Sequence, residues 1–76
     1  MSRYILNKNK QDSSSGENYE VHNEENCGHL PDQENRISLG YFSNCHEAVN
    51  KAKNSYPNWS ASIDGCYYCC NACNHG

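Results

Sequence analysis

Gly65-Cys66-Tyr67-Tyr68-Cys69-Cys70-Asn71-Ala72-Cys73-Asn74-His75 holds four of the chain's six cysteines, spaced C-x2-C-C-x2-C. Read as a short C-terminal helix, offsets of 0, 3, 4 and 7 gather the four sulfurs on one stripe roughly 100° wide. A small chain that turns four thiols inward is building either a metal site or a sulfur-rich core.

The remainder of the chain favours the metal. With 76 residues it is a single domain, 1–76, and a chain of that size buries only about 60% of the surface its unfolded form exposes. Small domains of this kind commonly add a metal or disulfides as a staple. One Met, one Phe and one Trp stand against six Cys and six Tyr, so aliphatic packing has little to work with. No secretory leader is visible, because Tyr4-Ile5-Leu6 is followed at once by Asn7 and Lys8, short of an apolar stretch of about 7–15 residues. Nor is there a run of about 18 apolar residues to span a membrane. The expectation is a cytoplasmic chain without membrane contact, in a compartment that keeps thiols reduced.

Zinc takes four thiolate or imidazole ligands in a tetrahedron. Cys66 and Cys69 follow Gly65 and supply half a site, in the first turn of a helix whose dipole favours thiolates. Cys27, a loop cysteine beside Gly28, is the expected third ligand. His22, at the end of a strand five residues earlier, is the expected fourth, with Cys70, Cys73, His29 and His75 as alternatives. Neighbouring side chains diverge, so Cys70 is expected to pack inward while Cys69 binds. The competing reading is a disulfide-stapled or thiol-redox protein, and the plainest is free cysteines packed as small hydrophobes. Cys45 lies beside His46 at a helix start, yet it is in register with Ala48, Val49 and Ala52, and core packing is its expected role.

Along the chain, Tyr4-Leu6 and the alternating Tyr19-His22 are expected strands. Residues 7–18 carry no apolar side chain and read as a mobile polar loop or the tip of a long hairpin. The acidic, turn-rich stretch from Asn23 to Asn35 is an irregular loop around Cys27 and Leu30-Pro31. Ile37, Leu39 and Tyr41 alternate with Ser38 and Gly40 as a third strand. Asn44-x-x-Glu47 opens a helix running to Tyr56, with Cys45, Ala48, Val49, Ala52 and Tyr56 on one face and Pro57 as its stop. Trp59 is expected to close over the core, and Ser62-Asp64 to form a last short strand. The fold class is α+β: a small antiparallel sheet of three or four strands, one main helix, and a short C-terminal cysteine helix.

The net charge of −3 and the lack of any Lys/Arg run argue against a nucleic-acid partner, since phosphate contacts demand a basic surface. The sequence does not name a partner, and a protein is one class open to it. No G-x-S-x-G, P-loop or Rossmann glycine pattern is present. The carboxylates Glu17, Glu20, Glu24, Glu25, Asp32 and Glu34 fall in solvated-looking segments. A thioredoxin-like use of Cys66-x2-Cys69 needs a βαβ unit for which the chain is too short. A non-enzymatic, zinc-stabilised module, serving as an interaction domain, is the functional expectation.

From Val21 onward the sequence resembles a group of small bacterial cysteine-rich proteins of uncharacterised role. The resemblance rests on His22-Asn23 with Cys27, Leu30-Pro31, Leu39-Gly40, Ser43-Asn44-Cys45-His46-Glu47-Ala48 and Gly65-Cys66 through Cys73, about 55 of the 76 residues. It is more loosely similar to the metal-binding module of the Ada DNA-repair protein, which implies zinc on Cys27, Cys66 and Cys69. Against that module, the partner expected close to Cys27 is missing, and Cys70 and Cys73 are extra.

Overall fold

The apolar run Tyr4-Ile5-Leu6 becomes the middle of the sheet. The computed structural model describes residues 1–8, 11–13, 16–28, 30–66 and 68–73. Its elements follow in the order β1 (Ser2–Asn7), β2 (Gln11–Ser13), β3 (Gly16–Asn23), β4 (Arg36–Phe42), α1 (Cys45–Ser55) and β5 (Ile63–Gly65). Strand β1 lies between β3 and β4 and is antiparallel to both. Each residue from Tyr4 to Asn7 is buried, as expected of a strand covered on both faces. Tyr4 and Leu6 face the helix, while the turn-rich segment before β4 covers the other side. Glu24 ties that segment down between Arg3 (3.3 Å) and Arg36 (3.4 Å), and Arg36 Nε donates to the Pro31 carbonyl at 2.8 Å.

Among its described residues the polar stretch 7–18 contains paired backbone. Strand β2 runs antiparallel to the start of β3, with Gln11 opposite Asn18 and Ser13 opposite Gly16. This matches the hairpin-tip reading of the same residues.

Strand β4 departs from simple alternation. Tyr4 faces Gly40 but Ile5 faces Ser38, so Leu39 is an extra residue in the ladder. Such a bulge needs an unusual backbone angle, which Gly40 supplies with φ 108°. Beyond it the faces exchange. Leu39 is buried, Tyr41 is 63% exposed, and Phe42 meets the Tyr4 ring at a centroid distance of 6.2 Å. The expectation that Tyr41 continues the Ile37–Leu39 face is therefore corrected, because a bulge shifts the period of two by one residue.

Helix α1 starts and stops where its capping residues dictate. Asn44 Oδ1 accepts the Glu47 N–H at 3.1 Å, and the Glu47 carboxylate accepts the Ser43 N–H at 3.0 Å. Tyr56 closes the other end by donating its N–H to Ala52 at 2.9 Å, and Pro57 opens a 3-10 stretch. Ala48 and Ala52 are fully buried, and their small side chains let the helix approach Leu6, Val21, Leu39 and Ile63 closely. Trp59 sits between two rings, stacked on Tyr19 at 4.3 Å and on Tyr56 at 4.9 Å. Its indole seals the helix end against β3.

Two elements differ from expectation in ways that place the cysteines. Strand β5 pairs with β3 in parallel, with Tyr19 opposite Ile63 and Val21 opposite Gly65, so the sheet is mixed rather than purely antiparallel. The C-terminal cysteines are not on an α-helix. Cys69 is in a turn, and only Asn71–Cys73 forms a short 3-10 turn. No helix among the described residues is long and apolar enough to cross a membrane.

Candidate metal centre

Four donors converge where the end of β3, the turn after it and the segment after β5 meet. Alternation along β3 turns His22 away from the face of Val21. The chain then folds back, with the Cys27 N–H bonded to the Asn23 carbonyl at 3.0 Å, and this turn carries Cys27 to the imidazole. From the other side, the Cys66 N–H extends the parallel pairing of β5 by donating to the Val21 carbonyl at 2.9 Å. That bond fixes Cys66 beside His22. The Cys70 N–H donates to the Cys66 carbonyl at 2.8 Å, closing the C-x2-C turn and returning Cys69 to the cluster.

The ligand atoms of His22, Cys27, Cys66 and Cys69 all lie within 4.8 Å of one another. Zinc bonds of about 2.3 Å to sulfur and 2.0–2.1 Å to nitrogen give a tetrahedron with S···S edges of roughly 3.8 Å and S···N edges of roughly 3.5 Å. Cys27 Sγ is 3.8 Å from Cys66 Sγ and 3.5 Å from His22 Nδ1. His22 and Cys66 are buried, while Cys27 and Cys69 are half-buried. The donor set fits a closed Cys3His site of the structural kind, with both edges at the right length. The Asn23 N–H donates to Cys69 Sγ at 3.3 Å, supplying the thiolate stabilisation expected of a helix N-terminus that this segment does not form.

Thiols crowded in this way compete for protons. The Cys66 thiol is pushed up to about 11 by its hydrogen bond with Cys69 and by burial, against a smaller opposing effect of His22. Cys69 is raised as well: its contact with Cys66 favours the thiolate, but Cys70, burial and Cys27 outweigh it. Cys70 is lowered by its hydrogen bond with Cys69, against the effect of burial. An ion entering the cluster therefore displaces protons from thiols that otherwise hold them at neutral pH.

The remaining candidates fall elsewhere. Cys70 is buried in the core with its sulfur 3.9 Å from Cys69 Sγ and outside the four-donor set. Cys73, expected among the alternative ligands, lies instead against Cys45, with the two sulfurs at disulfide distance. His46 Nδ1 is 3.5 Å from Cys73 Sγ. Cys45 packs against the core as expected and in addition meets Cys73, a partner the sequence does not name. Only the fold brings together residues separated by 28 positions, and nothing in their spacing signals it. His29 and His75 lie outside the described residues. A surface hollow of about 320 Å3 lies on the far side of β1, lined by Arg3, Ile5, Glu24, Gln33, Arg36 and Ser38. Both of its guanidiniums already engage Glu24.

Comparison with protein-family models, with curated proteins and with solved structures finds no match to this chain.

Proposed function

We propose that the chain is a small, non-enzymatic zinc-stabilised module, with His22, Cys27, Cys66 and Cys69 holding the ion. The observation that carries this reading is the convergence of four zinc-type donors from three separate segments within 4.8 Å. A core of two alanines and a few aliphatic residues gives the ion a reason to be there. In small zinc domains the apparent binding free energy, about 10–16 kcal/mol, is largely folding free energy. The module is cytoplasmic on this reading, and its partner is a protein surface rather than a nucleic acid, given the net charge of −3.

Metal analysis of the purified, reduced protein tests the proposal. At least one zinc per chain, whose removal by chelation lowers the unfolding midpoint, is the expected result. A chain that binds no zinc, or whose unfolding midpoint is the same with and without it, overturns it. The Cys45–Cys73 pair supports the second reading, a disulfide-stapled or thiol-redox protein. Mass spectrometry under denaturing conditions separates the two, because each bridge removes two hydrogens from the chain mass.

A further inference from the structure

The second sulfur cluster is built from other parts of the chain. Cys45 is the first residue of α1, His46 follows it, and Cys73 arrives through the 3-10 turn at the other end of the sequence. Side chains of adjacent helical residues normally diverge, but Cys73 stands between these two. Its sulfur is at disulfide distance from Cys45 and 3.5 Å from His46 Nδ1. The three ligand atoms lie within 4.8 Å of one another. The S···N separation equals the edge seen in the first cluster and expected around zinc. Cys73 is buried, Cys45 half-buried and His46 exposed, so the cluster is rooted in the core and open on one side. The Cα atoms of Cys45 and Cys73 are 6.5 Å apart, a span that accommodates a disulfide.

We propose that Cys45, His46 and Cys73 form a second metal site, gated by oxidation and independent of the four-donor centre. In the oxidised chain a covalent bond joins Cys45 to Cys73, and no thiolate is left to hold an ion. A low-molecular-weight thiol reduces that bond with two electrons and two protons and is itself converted to its disulfide. A thiophilic divalent ion such as zinc then displaces both thiol protons and takes two thiolates and His46 Nδ1. The Nε2–H remains toward solvent. With three protein donors the ion keeps a coordination position for water or another ligand, unlike the closed first centre. Reoxidation by a peroxide, reduced to two hydroxide ions, restores the sulfur–sulfur bond and frees the ion. The site therefore exchanges its metal with the redox state of the surroundings, while the four-donor centre keeps its own.

Zinc titration of the full chain, read by native mass spectrometry in the absence of oxygen, tests this. The reduced protein is expected to bind two equivalents, and the protein oxidised until four thiols remain to bind one. His46→Ala changes an exposed side chain and is expected to weaken the second equivalent at least tenfold without affecting the first. Cys45→Ser is expected to abolish the second equivalent in the reduced chain. Cys27→Ser is expected to disturb the first equivalent and keep the His46-dependent one, so failure of the four-donor reading is seen separately. A reduced wild-type chain that binds a single equivalent overturns the proposal, as does a second equivalent that survives Cys45→Ser.

Discussion

Replacing Gly65 by alanine is expected to damage both stability and metal binding, and the size of the effect follows from three distances. A Cβ at position 65 would stand 2.6 Å from the Cys70 carbonyl oxygen, 2.7 Å from Cys73 Cβ and 3.1 Å from Cys70 Cβ. Ordinary contact begins at 3.4 Å, so the two closest gaps are short by roughly 0.7–0.8 Å, a mismatch of the overpacking kind. None of the three atoms is the end of a flexible side chain. The whole Cys70–Cys73 turn must move. Overpacking of this kind costs about 1–3 kcal/mol, and a clash with backbone on one side and an anchored Cβ on the other places it near the top of that range. For a domain of this size about 2–3 kcal/mol corresponds to a fall in Tm of roughly 8–24 °C. The same displacement pulls Cys70 away from the Cys66 carbonyl and loosens the turn that holds Cys69, so zinc affinity falls as well. Gly28→Ala is the matched control. A Cβ there meets nothing within 4 Å, and a glycine-to-alanine change in open space shifts stability by at most about 1 kcal/mol. Thermal unfolding followed by circular dichroism, with zinc titration alongside, gives both readouts. A Gly65→Ala protein that melts within a few degrees of the parent and binds zinc equally well would refute the close approach of the cysteine turn.

Three further outcomes are expected. In the metal-free chain the raised Cys66 thiol, near 11 against an ordinary 9.0, favours the protonated folded state. Its stabilisation is present below pH 9 and lost as pH rises toward 11, with the lowered Cys70 acting in the opposite direction. Denaturation midpoints of the chelated protein at neutral pH and at pH near 10.5, expected to be lower in alkali, check this. Glu20 faces Asp64 across the β3–β5 pair, and burial followed by that neighbouring charge raises its carboxyl pKa above 4.5. The stability tied to its proton is present below that value and lost as pH rises. Glu20→Gln should therefore raise Tm at pH 7 by a few degrees and give no gain near pH 4; a drop at pH 7 would contradict the like-charge pairing. Gly40→Ala is expected to cost about 1–3 kcal/mol through backbone strain alone. The nearest atom to its added Cβ is a Phe42 ring carbon at 3.8 Å, so urea unfolding should show the loss without any change in zinc stoichiometry.

Where the chain announces itself locally, its sequence and its structure agree. The 44–56 segment is an example: Asn44 and Glu47 cap the helix, Ala48 and Ala52 bury, and Pro57 follows its last turn. These signals act within a few residues of one another, and packing has only to accept them. Local signals failed in two places. The Ile37–Tyr41 alternation was interrupted by a bulge that only the pairing with β1 reveals. The cysteine stripe from 66 to 73 suited a helix by its spacing. Gly65, however, brings the chain so close to Cys70 and Cys73 that the segment tightens into turns.

The residue types of the candidate metal centre were legible before the fold was known: a meagre aliphatic supply, a C-x2-C pair after a glycine, and a loop cysteine five residues beyond a histidine. Composition and short spacing carry that information because donor chemistry belongs to the side chain itself. Which donors share a point in space was decided by the tertiary structure. Parallel pairing of β5 with β3 is a long-range event, separated by a strand and a helix, and it sets Cys66 beside His22 and Cys27. The folding of the last turn onto the first residue of α1 likewise brings Cys73 to Cys45 and His46. No periodicity encodes such meetings, because they depend on how whole elements stack and not on how neighbouring residues alternate.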